Sequence, residues 1–147
     1  MNHIKPTFIG VNKSFFQASF RKGFSAPDIP VVTVTVGSKK LNFVVDTGSD
    51  NNVINSAILS RVEHRKVKGE LSHITGIGGT KEVETCTITF ECGGDKYTSD
   101  FLAHDLTEAF DVIFDNHGVR LHGMLGSNFL KDNKVVLDFE NFSLYSK

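Results

Sequence analysis

Between residues 31 and 45, apolar and polar positions alternate with the two-residue period of a strand. The alternation runs first through VVTVTV and then, after the polar break GSKK, through LNFVV. Successive strand side chains point to opposite faces, so each segment predicts a strand with one face in a core, and the break predicts a hairpin turn. The second strand ends on a charge, Asp46. Beyond it, NSAILSRV predicts a short helix. The run from His64 to Cys92, followed by the turn GGDK and YTSDFLAHDL, predicts two hairpins with glycine at their tips. GMLGSNFLKDN predicts a short strand, a glycine and one or two helical turns, and KVVLDF with FSLY predicts a last hairpin around the turn EN. Residues 105–122 carry no legible period. Many short strands joined by glycine-rich turns predict an all-β domain, a closed barrel or sandwich with one short C-terminal helix. Residues 1–25 hold several phenylalanines without a period and are read as an N-terminal extension, leaving 26–147 as the domain.

Composition narrows the class. At 147 residues and 39% hydrophobic content the chain can bury one core and is short for two. A formal net charge of -1 gives no electrostatic reason to expect nucleic acid or an anionic membrane as partner. No apolar run reaches the roughly 20 residues of a spanning helix, and the first residues lack the apolar core of a signal peptide, so a cytoplasmic location is expected. Cys86 and Cys92 share one face of the strand in VETCTITFEC. Six residues of extended chain separate them by roughly 20 Å, too far for a disulfide, so they are expected to be free and buried, which fits a reducing compartment.

The stretch DTGSDNNVI explains why a strand ends on a charge. A carboxylate at the end of an apolar strand must be hydrogen-bonded or paired, since burying it alone costs several kcal/mol, of the order of ~3 or more. Thr47, Gly48 and Ser49 supply hydroxyls and amides within reach, and glycine lets the backbone close in. Taken alone, Asp-Thr-Gly is equally an Asx-type turn after a strand. The context favours chemistry: downstream come the glycine-tipped ITGIGGTK and, near the C-terminus, GMLGSNFL.

With these three motifs in this order, the sequence resembles the retropepsin-like aspartic proteases, the single-domain enzymes of retroviruses and their cellular and bacterial relatives, over roughly residues 30 to 140. The resemblance implies that Asp46 is the catalytic aspartate, that GIGG is the tip of a flap, and that MLGSNFL packs behind the catalytic loop. Aspartic catalysis needs two carboxyls sharing a proton, one as base on water and one as acid on the carbonyl oxygen. One Asp-Thr-Gly per chain implies that the second carboxyl is Asp46 of another copy, in a symmetric homodimer without cofactor or metal. By the same resemblance Thr47 bonds across the dyad and Gly48 offers its carbonyl to substrate backbone. Ser49 would set a hydroxyl beside the carboxylate, favouring its ionised form and an acidic optimum. Asp50 and Asn51 are expected to contact substrate, and Ile77, Gly78 and Gly79 to close over an extended peptide or protein substrate.

The sequence departs from the retroviral pattern in three places. Ser127 stands where those enzymes often carry an arginine that pairs with the acid at the position of Asp50. The chain also continues past VVLDF into ENFSLY, and both the N-terminal extension and residues 105–122 exceed the compact retroviral plan. A hairpin of alternating Val135, Leu137 and Phe139, continued by Phe142 and Leu144, is the expected apolar dimer surface. The competing reading is a non-catalytic module of the same fold that grips a peptide or protein without cutting it. The intact DTGS disfavours it. Weaker signals do not change the picture: His117 and His122 in HGVRLH lack an HExxH or Cys/His set, and GIGGTK lacks phosphate-loop spacing. Asn12 and Asn141 head N-x-Ser sequons, which matter only in a secretory setting.

Overall fold

A computed structural model describes residues 30–67, 72–76, 79–138, 140 and 143–146. The extension read in residues 1–25 lies outside the described residues.

The alternation at residues 31–45 becomes an antiparallel pair, β1 (Val31–Val36) and β2 (Lys39–Val45), joined at Gly37 and Ser38. Gly37 has φ 59, a left-handed conformation that favours glycine in the turn. β3 (Asn52–Asn55) is buried along its whole length because it runs between two other strands. A 3-10 helix, Ser56–Arg61, answers the helix expected from NSAILSRV; Asn55 caps it by accepting from the Ala57 amide at 3.2 Å. The expected hairpins follow: β4 (Arg65–Lys66) and β5 (Ser72–Gly76) pair with the long β6 (Gly79–Cys92), which turns at Gly93 and Gly94 into β7 (Asp95–His104).

The stretch without a legible period contains an 11-residue helix, α1 (Thr107–His117), in addition to the short C-terminal helix. Its N-cap is Leu106; the Asp105 carboxylate just before accepts from the Thr107 amide at 2.9 Å, and the helix stops on Gly118 at φ 71. Then come β8 (Gly123–Leu125), α2 (Ser127–Asp132), β9 (Val135–Asp138) and β10 (Ser143–Ser146).

The strands close a barrel in the order β1-β2-β8-β3-β7-β6, and β6 returns to β1 through Thr35 opposite Glu91. Its interior holds Phe43, Phe90, Phe101 and Phe129, with the Phe43 ring 6.0 Å from Phe90 and 5.4 Å from Phe101. Burial of each such ring contributes about 2 kcal/mol or more. Two further apolar clusters lie outside this interior. Val31, Val44, Phe110 and Leu121 seat α1, while Val53, Val83 and Leu102 pack with Ile74 of β5. Cys86 and Cys92 are free and buried as expected; burial, with Asp100 and Glu84 nearby, pushes the Cys86 thiol up to about 11, so it stays protonated at neutral pH.

The expected role of the terminal hairpin needs correction. β9 and β10 do pair, but Leu144 is only 1% exposed and belongs to the barrel's own core, with Val135 and Leu137 packed against it. The alternation from 135 thus reflects a core-facing side rather than a free apolar dimer surface. Phe139 and Phe142 lie outside the described residues.

Candidate active site

β2 carries the chain to Asp46, whose amide donates to the Leu125 carbonyl at 2.9 Å, so the aspartate begins where the β2–β8 pairing ends. The chain turns at once: the Ser49 amide donates to the Asp46 carbonyl at 3.2 Å, and the Gly48 amide donates to Asp46 Oδ1 at 3.0 Å. A Cβ on Gly48 would come within 3.3 Å of that same oxygen, so glycine keeps the approach to the carboxylate clear. Asp46 is half-buried, with Thr47, Gly48, Asp50 and Asn51 exposed around it.

The loop is fixed from behind. The Ser127 and Asn128 amides, among the orphan donors of the first turn of α2, donate to the carbonyls of Ser49 at 2.7 Å and Asp50 at 3.1 Å. This close fit requires the glycines of GMLG. A Cβ on Gly126 would sit 2.4 Å from the Asn51 carbonyl oxygen, and one on Gly123 2.4 Å from that of Val53. MLGSNFL therefore packs behind the loop as the resemblance implied.

Asn52, which sequence reasoning missed, ties the arrangement to the barrel. It is 4% exposed, its Oδ1 accepts from the Gly126 amide at 2.9 Å, and its Nδ2 donates to Ser99 Oγ at 2.9 Å and to the Asp100 carbonyl at 3.1 Å. An asparagine at the entry to the apolar pair Val53 and Ile54 is the trace it leaves in sequence, since a buried residue of this kind must find partners for its polar atoms.

Ser49 behaves differently from expectation. Its hydroxyl donates to the Asn51 carbonyl at 2.8 Å, and a hydroxyl has one proton to give, so in this arrangement it does not hydrogen-bond to Asp46. Of the expected flap tip, Gly79 has φ 108 and faces Gly76 across the turn, while Ile77 and Gly78 lie outside the described residues.

The face that leads to Asp46 is apolar. Val44 pairs with Met124, Met124 with Val53, and Val53 with Leu102, giving a row across four strands. Asp46 follows two residues after Val44 and continues that side of the sheet. Ile74 of the β5–β6 hairpin packs on the same cluster, and α1 packs on Val44 and Met124 from the other side. These residues are the second set that sequence reasoning missed, because a pairing row is a property of register rather than of local pattern.

Among the described residues, no group of three or more His, Cys, Asp or Glu could hold a metal ion. His122 is committed otherwise: its Nδ1 accepts from the Asn42 amide at 2.9 Å, and burial, with Arg120 and Arg61 nearby, holds it below the usual histidine range. No described helix is long and apolar enough to cross a membrane.

A closed β-barrel with one Asp-Thr-Gly loop held on the glycine-opened helix behind it defines a single-lobed aspartic-protease fold. The family described as "Aspartyl protease" matches residues 32–129, and the chain belongs to that family. Over 77 residues, 52% of the chain, it is 29% identical to the Pol polyproteins of equine infectious anemia virus, strain Wyoming and isolate 1369 among them. That match spans 7% of the polyproteins' length. In fold it is similar to the equine infectious anemia virus protease solved in complex with the inhibitor HBY-793. The TM-score is 0.55 and the identity 24%, over 74% of this chain and 91% of the other.

Proposed function

We propose that the protein is an aspartic endopeptidase that works as a homodimer, each copy contributing Asp46 to one shared dyad. The observation that carries this reading is the loop itself: a half-buried carboxylate, held by a glycine amide at 3.0 Å, stands at the end of a buried apolar strand and is followed by the exposed Thr47, Asp50 and Asn51. One ionised Asp46 takes a proton from water as the oxygen attacks the scissile carbonyl, and the protonated Asp46 of the other copy gives its proton to the carbonyl oxygen. Collapse of the tetrahedral intermediate returns that proton to the dyad and delivers the other to the leaving nitrogen, so the dyad ends as it began. Thr47, exposed beside Asp46, bonds to its mate's loop. Gly48, Asp50 and Asn51 meet the backbone and side chains of an extended peptide. Ile77, Gly78 and Gly79 cover it by adding strand-like bonds and excluding water.

Mixing tests the shared site. Wild type refolded with an equal amount of Asp46→Asn should keep about a quarter of the activity of the same total of wild type, because only dimers with two intact aspartates cut. Self-sufficient chains would keep about half. Asp46→Asn alone should be inactive on a peptide library, with its thermal unfolding unchanged. Cleavage by that variant at the wild-type rate would end the assignment, and a wild type that binds peptides without producing new termini would mark the chain as a binding module.

A further inference from the structure

At the opposite end of β2 from Asp46, the surface folds into a pocket of about 570 Å³ lined by the start of β2, the 3-10 helix, the start of α1 and the residues just before β8. Its cationic lining comes from Lys39, Lys40, Arg61 and Arg120; its apolar floor includes Leu41, Val62 and Leu121, all buried. No acid lines it. Among the described residues, Lys39, Lys40 and Arg61 have no carboxylate within ion-pair distance, whereas Arg120 is paired through Nη1 with Asp111 at 2.6 Å. Glu63 lies outside the lining at the Gly37 turn.

Like charges gathered around one concavity repel each other; Asp111 offsets Arg120, but among the described residues no ion pair offsets Lys39, Lys40 and Arg61. An incoming anion would. The combination of several cations with an apolar floor, in a volume within the ~300–1,000 Å³ of small-molecule sites, selects a ligand that carries both charge and an apolar body. We propose that this pocket binds a small phosphate ester, with its phosphates on Lys39, Lys40 and Arg61 and its apolar body on Leu41, Val62 and Leu121. His122 lies at the same wall; burial first, then Arg120 and Arg61 nearby, hold it below the usual histidine range. Lys40 stands six residues before Asp46, roughly 20 Å along an extended strand, so the pocket is separate from the cleft.

The test is titration calorimetry on the full 147-residue chain at about 0.15 M salt, where exposed charge attraction is already screened over about 8 Å. The probes are ATP, with pyrophosphate for the charge alone and adenosine for the body alone. ATP should bind one per chain, and more tightly than either part. The Lys40→Gln/Arg61→Gln variant should weaken ATP at least tenfold, while the charge-matched Lys96→Gln/Lys131→Gln should change it less than twofold. All four side chains are exposed, and Lys39→Gln/Lys40→Gln serves as a second pocket variant should Arg61 prove necessary for folding. Equal weakening by the pocket and control pairs would show diffuse attraction and overturn the site, as would the absence of saturable ATP binding. Because the readout is binding, the outcome stands apart from whether Asp46 cleaves peptides.

Discussion

The Asp46 loop and the terminal β9–β10 hairpin are both short, both packed against α2 or its surroundings, and completed to very different degrees. The loop has its carbonyls at 49 and 50 taken by helix amides, its carboxylate held by Gly48, and Asn52 buried beneath it with three hydrogen bonds. The hairpin has its inner face filled by Leu144 and the packing of Val135 and Leu137, but among the described residues its two strands pair only with each other. Among the described residues no third strand borders the ribbon, and an open strand edge is a template for another strand. The contrast divides the labour: one chain builds the geometry of the active loop, and a second copy would complete the edges of the hairpin. Under this view association would run through backbone edges and the outward face of Val136 and Tyr145, rather than through the core-facing alternation of Val135, Leu137 and Leu144.

The largest effect should come from breaking the loop's support. Gly126→Ala places a Cβ 2.4 Å from a backbone oxygen, which no side-chain rotation relieves, so loop and helix must part. Overpacking of this kind costs about 3 kcal/mol. Chemical denaturation should show that loss, and peptide cleavage should fall with it even at temperatures where the variant remains folded. A Gly126→Ala enzyme with wild-type stability and rate would show that the contact to Asn51 is loose.

The hairpin's two faces should separate next. Leu144→Ala removes a core side chain and should cost about 2 to 5 kcal/mol of stability whether or not a dimer forms. Tyr145→Ala, on the half-buried outer face, should cost less than about 1 kcal/mol in the monomer yet shift the sedimentation midpoint between monomer and dimer to higher concentration. Equal effects of Tyr145→Ala and wild type on sedimentation would confine the interface to other surfaces. Gly79→Ala comes third. Nothing lies within 4 Å of its would-be Cβ, so the cost is conformational alone, about 1 kcal/mol for leaving φ 108 to a side chain. Turnover of a long peptide should drop more than stability does if the hairpin closes over substrate.

Local pattern was enough to locate β1, β2, the glycine-tipped hairpins and the three motifs around Asp46, because each rests on alternation or on a turn residue. It was not enough for α1, although the helix has a trace: Leu106, Phe110 and Ile113 recur at helical spacing and Gly118 closes it, but exposed Val112 and Phe114 blur the stripe. Arg120 explains part of that exposure, since its guanidinium lies 4.3 Å over the Phe114 ring. The apolar row behind Asp46 was illegible for a different reason. Val44, Met124, Val53 and Leu102 come from four strands far apart in sequence, and only the register brings them into one row. The same applies to Asn52, whose partners lie about 47 and 74 residues away.

The smallest expected effect is the most discriminating for the loop. Reading the sequence by family resemblance put the Ser49 hydroxyl on the Asp46 carboxylate. A donor there stabilises the ionised form, so its removal would make the carboxylate hold its proton to higher pH and shift the acid limb of the activity profile upward. With the hydroxyl instead on the Asn51 carbonyl at 2.8 Å, Ser49→Ala takes nothing from the carboxylate, and the Gly48 amide still donates to Oδ1. The variant should therefore lose about 1 kcal/mol of stability from one partly exposed hydrogen bond while its acid limb stays in place. The measurement is kcat/KM against pH for both proteins, with unfolding followed at each pH to separate the two effects. An acid limb displaced toward neutral in Ser49→Ala would mean that the hydroxyl turns to Asp46 once two loops meet, and that the loop is finished by the partner after all.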